Sequence, residues 1–235
     1  MIAYLMAAGR GERLRPLTDD RPKCLLPVGG KPMLEWWLSA VFKASVCDEV
    51  YVNVHHLADQ VETWLWSNWL PRTGCIVHVI DERARLLGTA GTVYWHGDTE
   101  QDALVAYTDT WCEALWAELP AAVQAFTRLP QTMGGGLVSM PQPGDRSAGG
   151  MTVGALGTLE RFKEKSSTGD VAWAGVLLAR PTLLKSVRAH DADWASDVLP
   201  RWVNRLRVVQ HVDATDMGRS VETYERLCRS AHAAA

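Results

Sequence analysis

The chain has 235 residues, of which 47% are apolar and 22% charged, with a formal net charge of -3. That length sustains a full hydrophobic core in one domain, or two lobes around a cleft. A mildly acidic chain lacks the basic field that non-specific nucleic-acid binding requires, so no nucleic-acid partner is expected and any anion site must be local.

In chain order, Ile2 to Ala7 is a short apolar run ended by Gly9, the pattern of a buried parallel strand entering a turn. It is too short for a signal sequence or a membrane span, so a cytoplasmic protein without a membrane partner is expected. Pro32 precedes Met33, Leu34, Trp37, Leu38, Val41 and Phe42, whose spacing makes the apolar face of a helix with proline in its first turn. Glu49 to Val54 reads as a second strand. Leu57, Val61 and Leu65, with Trp64 and Trp69, line another helix, and Cys75 to Ile80 is a third strand. This alternation points to an α/β fold with a mostly parallel sheet covered on both faces.

A short helix is expected after Gly88-Thr89-Ala90-Gly91-Thr92, then a strand from Ala103 to Tyr107 that ends at Asp109. Trp111 to Leu129 is read as helical with a break at Pro120, Gly134 to Met140 as a strand, and Pro141 to Gly150 as a polar loop. Met151 to Val153 and Leu159 to Phe162 form short strands around Gly157, and Ala172 to Leu178 returns to the core. Pro181 to Val187 and Val198 to Leu206 are predicted helices and Val208 to Val212 the last strand. Ser220 to Cys228 is a closing helix before a frayed tail at 231–235. The five cysteines are widely spaced without a C-x-x-C pair, which fits reduced thiols. The tryptophans Trp36, Trp37, Trp64, Trp66 and Trp69 fall on helical segments as packing residues.

Gly9 and Gly11 let the backbone turn tightly, and exposed N–H groups in such a turn cradle phosphate oxygens. The segment continues neither into G-K-S/T nor into G-x-G-x-x-G, which excludes the Walker A loop and the dinucleotide fingerprint. Arg10, Arg13, Arg15, Arg21 and Lys23 place five basic residues within fourteen, against an acidic background. Arg13, inside the turn, can bridge phosphate oxygens; Lys23, fixed by Pro22, brings a point charge from a second segment. Arg10 and Arg21 also fit solvated surface charge.

In an open parallel sheet the ligand crevice lies beyond the carboxyl ends of the strands, which puts the Gly9 turn and Asp109 on one edge. Asp109 and Asp216 read as magnesium ligands or, alternatively, as cap and turn residues. Gly88 to Gly91 reads either as a bed for a flat base or as a helix entry capped by Thr89. Glu164 and Lys165 offer a hydroxyl-binding acid beside a phosphate-binding base, or a surface ion pair. The histidines form no zinc set and no G-x-S-x-G elbow occurs.

Six segments in order carry a resemblance: L-M-A-A-G-R-G-E-R-L-R-P-L-T from Leu5, R-P-K-C-L-L-P-V-G-G-K-P-M-L-E from Arg21, L-L-G-T-A-G-T from Leu86, Y-T-D from Tyr107, F-K-E-K from Phe162 and D-M-G-R-S-V-E-T-Y-E from Asp216. The chain resembles the sugar-1-phosphate nucleotidyltransferases. The resemblance implies a doubly wound, mostly parallel, Rossmann-like and GT-A-like sheet with a small sugar-binding subregion, in a single nucleotidyltransferase domain over residues 1–235. It implies Arg13 and Lys23 as catalytic residues on the triphosphate, and Asp109 with Asp216 as ligands of Mg2+. Ala7, Ala8, Gly9, Gly11 and Leu87, Gly88, Thr89, Ala90, Gly91 would surround the nucleotide. Glu164, Lys165, Trp173, Gly175 and Arg219 would lie about the sugar and its phosphate.

The implied partners are small molecules, an NTP and a sugar 1-phosphate, in a monomer or homodimer. The L-G-T-A-G form resembles guanylyltransferases for mannose or heptose phosphates, so GTP is the first choice of donor. A cytidylyltransferase acting on phosphocholine or a phosphonate is the alternative enzyme, and a catalytically silent nucleotide-sugar-binding subunit the alternative of another class. Four positions depart from the pattern: Glu12 for threonine or serine, Thr108 for glycine, Trp173 for asparagine and Arg219 for threonine. Those at Trp173 and Arg219 point to an uncommon acceptor.

Overall fold

The computed structural model describes residues 1–47, 49–69, 76–142 and 148–233. Strand β1 (Ile2–Met6) is buried along its whole length, and its turn runs through 3-10 segments at Glu12–Leu14 and Lys23–Leu25. A small hairpin, β2 (Pro27–Val28) and β3 (Lys31–Pro32), leads into helix α1 (Met33–Lys43), entered from Pro32 as the sequence predicts. Next come β4 (Glu49–Val54), α2 (Ala58–Trp64) continuing as a wider turn to Trp69, β5 (Ile76–Asp81), α3 (Thr89–His96), β6 (Ala103–Tyr107) and β7 (Thr110–Trp111). Helix α4 (Glu113–Thr127) precedes β8 (Gly135–Met140), β9 (Gly150–Val153), β10 (Leu159–Lys163) and β11 (Val171–Ala179). The rest comprises α5 (Pro181–Leu184), β12 (Leu206–His211), β13 (Thr215–Asp216) and α6 (Val221–Ala233).

The main sheet runs β12-β8-β11-β6-β1-β4-β5. β1 pairs in parallel with both β4 and β6, and β4 with β5, whereas β11 enters antiparallel to β6 and β8. The β9–β10 pair attaches to the first residues of β11. β11 therefore serves two neighbours along one edge, β9 at Val171–Ala172 and β6 at 176–179, with Gly175 at φ +74° in the interval. A side chain at Gly175 would press on Tyr107 and Thr110, so the glycine lets the strand bend over the end of β6.

Three apolar clusters hold the fold. One face of the sheet packs Leu34, Trp37 and Leu38 of α1, Val61 of α2 and Leu115, Leu119 and Phe126 of α4. The other face packs Val93, Leu183, Trp194, Leu199 and Trp202. A third, smaller cluster joins Leu14, Leu26, Val28, Met33, Trp111 and Met217 to Tyr224 and Leu227 of α6.

The structure departs from the sequence reading in several places. α4 passes through Pro120 without a break, because its buried stripe on both sides of the exposed proline stays on the sheet. The helix expected at Val198 to Leu206 is instead a wide turn at Trp194–Val198 followed by a 3-10 turn at Leu199–Trp202, started by Asp193, whose carboxylate caps Ala195 and Ser196. Pro181 to Val187 shrinks to the single turn of α5, and α6 runs beyond Cys228 to Ala233. Trp66 is 62% exposed and packs little, unlike its neighbours. Cys75, most of the loop after Pro141 and the end of the tail lie outside the described residues. No disulfide joins Cys24, Cys47, Cys112 and Cys228, and no described helix is long and apolar enough to cross a membrane.

Candidate active site

Four segments converge at the carboxyl ends of β1 and β6. After β1, the N–H groups of Ala7 and Ala8 donate to Oδ1 of buried Asn53 at 2.7 and 3.2 Å, which fixes how the chain leaves the sheet. Gly11 sits at φ +66°, and a Cβ there would lie 2.8 Å from Thr18. Thr18 returns its hydroxyl to the Gly11 carbonyl, so the turn is closed on itself. Leu14 is fully buried in the third cluster, which anchors the backbone beside Arg13 while the guanidinium stays exposed at the cleft. Glu12 points outward, with its carboxylate 3.9 Å from Arg10 and more than half exposed; this pair is surface charge.

Lys23 comes next, held by the 3-10 turn after Pro22 with Cys24 and Leu25 buried behind it. Its Nζ lies 2.5 Å from Oδ2 of Asp109. Thr108, where glycine is usual, uses its hydroxyl to bind the Met6 carbonyl at 2.9 Å, stitching β6 to β1 just before Asp109. β7 then pairs antiparallel with β13, setting Thr110 opposite Asp216, and the Met217 N–H donates to the Asp109 carbonyl at 2.9 Å. Trp37 holds the same strand pair by donating its indole N–H to the Thr110 carbonyl. At Gly218 a Cβ would stand 3.0 Å from Lys23 Nζ, 3.1 Å from Asp216 Oδ1 and 3.2 Å from Asp109 Oδ2. That single point measures how closely the three charged groups crowd, and why residue 218 carries no side chain.

Burial works against both charges of the lysine–aspartate pair, but their mutual attraction outweighs it, so Lys23 is held above the usual ammonium range and Asp109 below the usual carboxylate range. Asp216 goes the other way. Burial, and then the negative charge of Asp109, push its carboxyl up to about 6. Two partly buried carboxylates sharing one ammonium form a site short of positive charge. Among the described residues no group of three or more His, Cys, Asp or Glu could hold a metal ion alone. Two carboxylates with phosphate oxygens and water completing the shell is how magnesium binds beside phosphates, so the residues present fit that ion.

Two cavities open on either side of this centre. The first, about 230 Å³, is walled by Ala7, Ala8, Gly9, Asn53, Gly88 and Thr89. Gly88 has φ +80°, and a Cβ on it would strike the Ala192 carbonyl at 2.3 Å. Ala90 and Gly91 donate their N–H groups to that same carbonyl, and Leu87 donates to Glu82 Oε2 at 3.1 Å. Leu87, Ala90 and Gly91 therefore support the wall from behind, as Gly11 does at the turn, whereas Gly88 and Thr89 face the space.

The second cavity, about 520 Å³, is lined by Arg13, Glu164, Lys165, Trp173, Gly175 and Asp193, among others. Trp173 packs edge-on against Tyr107 and Phe162 and donates its indole N–H to the Val176 carbonyl, so it forms a rigid floor. Lys165 adopts φ +49° directly after Glu164, with its ammonium 3.8 Å from the Glu164 carboxylate. Arg219 does not face this cavity; it lines a neighbouring groove on the far side of Asp216.

Three residues of the site escape a reading by motif. Buried Asn53 also donates Nδ2 to Glu82 Oε1, and Glu82 accepts from Thr92 and Leu87, so one carboxylate, 2% exposed, ties β4 to the Gly88 loop. Asp193 accepts from Thr89 and Tyr107 across the boundary of the two cavities. Only the polar type of Asn53 within the apolar strand Glu49–Val54 marked any of them in the sequence.

Residues 2–217 match the model of the family described as nucleotidyl transferase. The chain belongs to that family. Among the relatives of this nucleotidyl transferase is the N-acetylmuramate alpha-1-phosphate uridylyltransferase of Caulobacter vibrioides, 32% identical over 208 residues that cover 86% of this chain and 82% of the relative. The glucose-1-phosphate thymidylyltransferase of Streptomyces griseus is 26% identical over 95% of this chain and 59% of its own length. A putative mannose-1-phosphate guanyltransferase of Sulfolobus acidocaldarius is 34% identical over 47% of this chain and 30% of its own. The nucleotidyl transferase is thus an enzyme of the sugar-1-phosphate nucleotidyltransferase group, with the α/β sheet that group implies.

Proposed function

We propose that the enzyme transfers a nucleoside monophosphate from an NTP to a sugar 1-phosphate, releasing pyrophosphate. The observation that carries this reading is the crowding of Lys23, Asp109 and Asp216 at the junction of two cavities, one narrow and walled by small residues, the other wide and carrying Arg13, Glu164 and Lys165. The nucleotide occupies the first and the acceptor the second. The acceptor phosphate is already anionic, so no side-chain base is needed to generate the nucleophile. The difficulty is electrostatic, since one anion must approach another.

Arg13 and Lys23 neutralise the triphosphate from two loops, and Lys165 binds the acceptor phosphate, leaving alignment and charge neutralisation as the source of catalysis. Asp109 and Asp216 would hold Mg2+, which supplies a Lewis acid that offsets charge on the phosphates. Glu164 accepts from acceptor hydroxyls. UTP is the proposed donor, supported by the uridylyltransferase relatives that align over more than four fifths of the chain; GTP, favoured by the L-G-T-A-G loop, is the second reading. Pyrophosphate release is to be measured with each of UTP, GTP, CTP, ATP and dTTP against a panel of sugar 1-phosphates and phosphocholine, with and without Mg2+. Release with no combination overturns the proposal, and release with GTP but not UTP reverses the choice of donor.

A further inference from the structure

The wide cavity carries an excess of negative charge that the transfer reaction itself does not consume. Asp109 and Asp216 face Lys23 and the proposed metal site, Arg13 is committed to the triphosphate and Lys165 to the acceptor phosphate. That leaves Glu164 and Asp193 on the wall. Among the described residues Asp193 is hydrogen-bonded only by neutral donors: the Thr89 and Tyr107 hydroxyls at 2.8 and 3.1 Å, and the Ala195 and Ser196 N–H groups. Among the described residues no lysine, arginine or histidine forms an ion pair with it. Its acceptor positions are filled by neutral donors, which stabilise the anion, and no described cationic side chain touches it.

Glu164 feels that charge. Burial, followed by the field of Asp193, raises its carboxyl above the usual range, and Lys165 at 3.8 Å does not fully offset them. A neutral sugar hydroxyl satisfies Glu164 as a hydrogen-bond acceptor but leaves both charges standing. A cation in the acceptor satisfies both, and the Tyr107 and Trp173 rings beside it are compatible with a nearby ammonium.

We infer that the acceptor carries a cationic amino group besides its phosphate, with Glu164 in direct contact and Asp193 reinforcing the selection through its field. This rests on the assignment of the wide cavity to the acceptor. Amino-sugar 1-phosphates and phosphocholine share the required chemistry; the size of the cavity and the sugar-phosphate relatives favour a sugar frame, and the amine is argued from the cavity wall alone.

The test compares 1-phosphates of one hexose frame bearing a hydroxyl, an amine at C2, C4 or C6, or a carboxylate at C6, with phosphocholine as the cation without a ring. kcat/KM is read by pyrophosphate release, and affinity by calorimetry on the nucleotide-loaded enzyme. One of the amines is expected to exceed its hydroxyl parent roughly tenfold, the worth of about 1.4 kcal/mol, with the carboxylate poorest. Glu164→Gln and Asp193→Asn should each lower the amine-to-hydroxyl ratio, a quantity in which general loss of folding cancels. Equal or better use of every hydroxyl parent, or a ratio that neither substitution moves, overturns the inference. Phosphocholine outperforming every amino sugar rejects the sugar frame as well. Calorimetric preference for an amine without turnover supports the subsite while counting against the proposed reaction, so the two failures are distinguishable.

Discussion

Lys23 Nζ and Asp109 Oδ2 are 2.5 Å apart, joining a loop after β1 to the end of β6 by one ion pair that is mostly withdrawn from water. The lysine thus keeps Asp109 ionised and at the same time stands where the triphosphate must pass. Lys23→Met removes the cation from both. We expect kcat/KM to fall about 10²–10³-fold, corresponding to about 2.7–4 kcal/mol for a contact acting in the transition state. Lys23→Arg should not restore it, because a planar fork cannot replace a compact ammonium in that gap. Steady-state pyrophosphate release checks this, and a loss of only a few fold would sink it.

Asp216 gives a pH prediction with the opposite sign from an ordinary salt-bridged carboxylate. Its folded value of about 6 lies above the unfolded carboxylate range, so its contribution to stability is complete below that range and is lost as pH rises through about 6. At neutral pH the metal-free protein carries an unfavourable charge there. Asp216→Asn should therefore raise the thermal midpoint of metal-free protein at pH 7.5 relative to pH 4, compared with wild type, and abolish any stabilisation by Mg2+ with nucleotide. Thermal scans at the two pH values decide; a lower midpoint at pH 7.5 with Mg2+ stabilisation retained contradicts the assignment.

Glu82 separates support from contact. It lines neither of the two site cavities but accepts from Asn53, Thr92 and Leu87. Glu82→Gln turns one acceptor oxygen into a donor facing donors, at a cost of about 1–3 kcal/mol. Urea unfolding should show that loss, and the surviving folded enzyme should have a raised KM for NTP with little change in KM for the acceptor. Equal rises in both would mean that the network holds more than the nucleotide wall.

Two glycines with nearly the same φ but different surroundings give a useful comparison. Gly88 and Gly30 have φ +80° and +79°, but a Cβ at Gly88 meets the Ala192 carbonyl at 2.3 Å, whereas at Gly30 it meets nothing within 4 Å. Gly30→Ala should cost only backbone strain, about 1–2 kcal/mol. Gly88→Ala should cost more and weaken nucleotide binding, because the loop has to leave Ala192. Chemical unfolding and nucleotide titration of the two variants test the difference.

What the sequence discloses depends on whether a residue acts through its neighbours in the chain or across space. The Gly9 turn, Lys23 after proline and Asp109 after an apolar strand are local patterns, and the structure gathers them at one edge of the sheet. Glu164 and Lys165 stood out only through the resemblance carried by F-K-E-K, since a Glu-Lys pair after a short strand also reads as surface charge; both line the wide cavity. Asn53, Glu82 and Asp193 were not legible, since their meaning lies in hydrogen bonds to segments up to 104 residues away. Pro120 misled for a related reason: local propensity favours a break, but burial of Leu115, Leu119, Ala122 and Phe126 keeps one helix.

The third apolar cluster joins elements far apart in synthesis. The Tyr224 hydroxyl donates to the Pro27 carbonyl across 197 positions, and Leu227 packs in the cluster that also contains Leu14, Trp111 and Met217, neighbours of Arg13, Asp109 and Asp216. A growing chain that has left the ribosome as far as residue 216 already owns every strand of the main sheet and every charged group proposed for phosphate and metal. It lacks the clasp. The last helix to be made thus backs the turn that carries Arg13 and the strand pair that carries Asp109 and Asp216, so the two ends of the chain meet behind the charged centre.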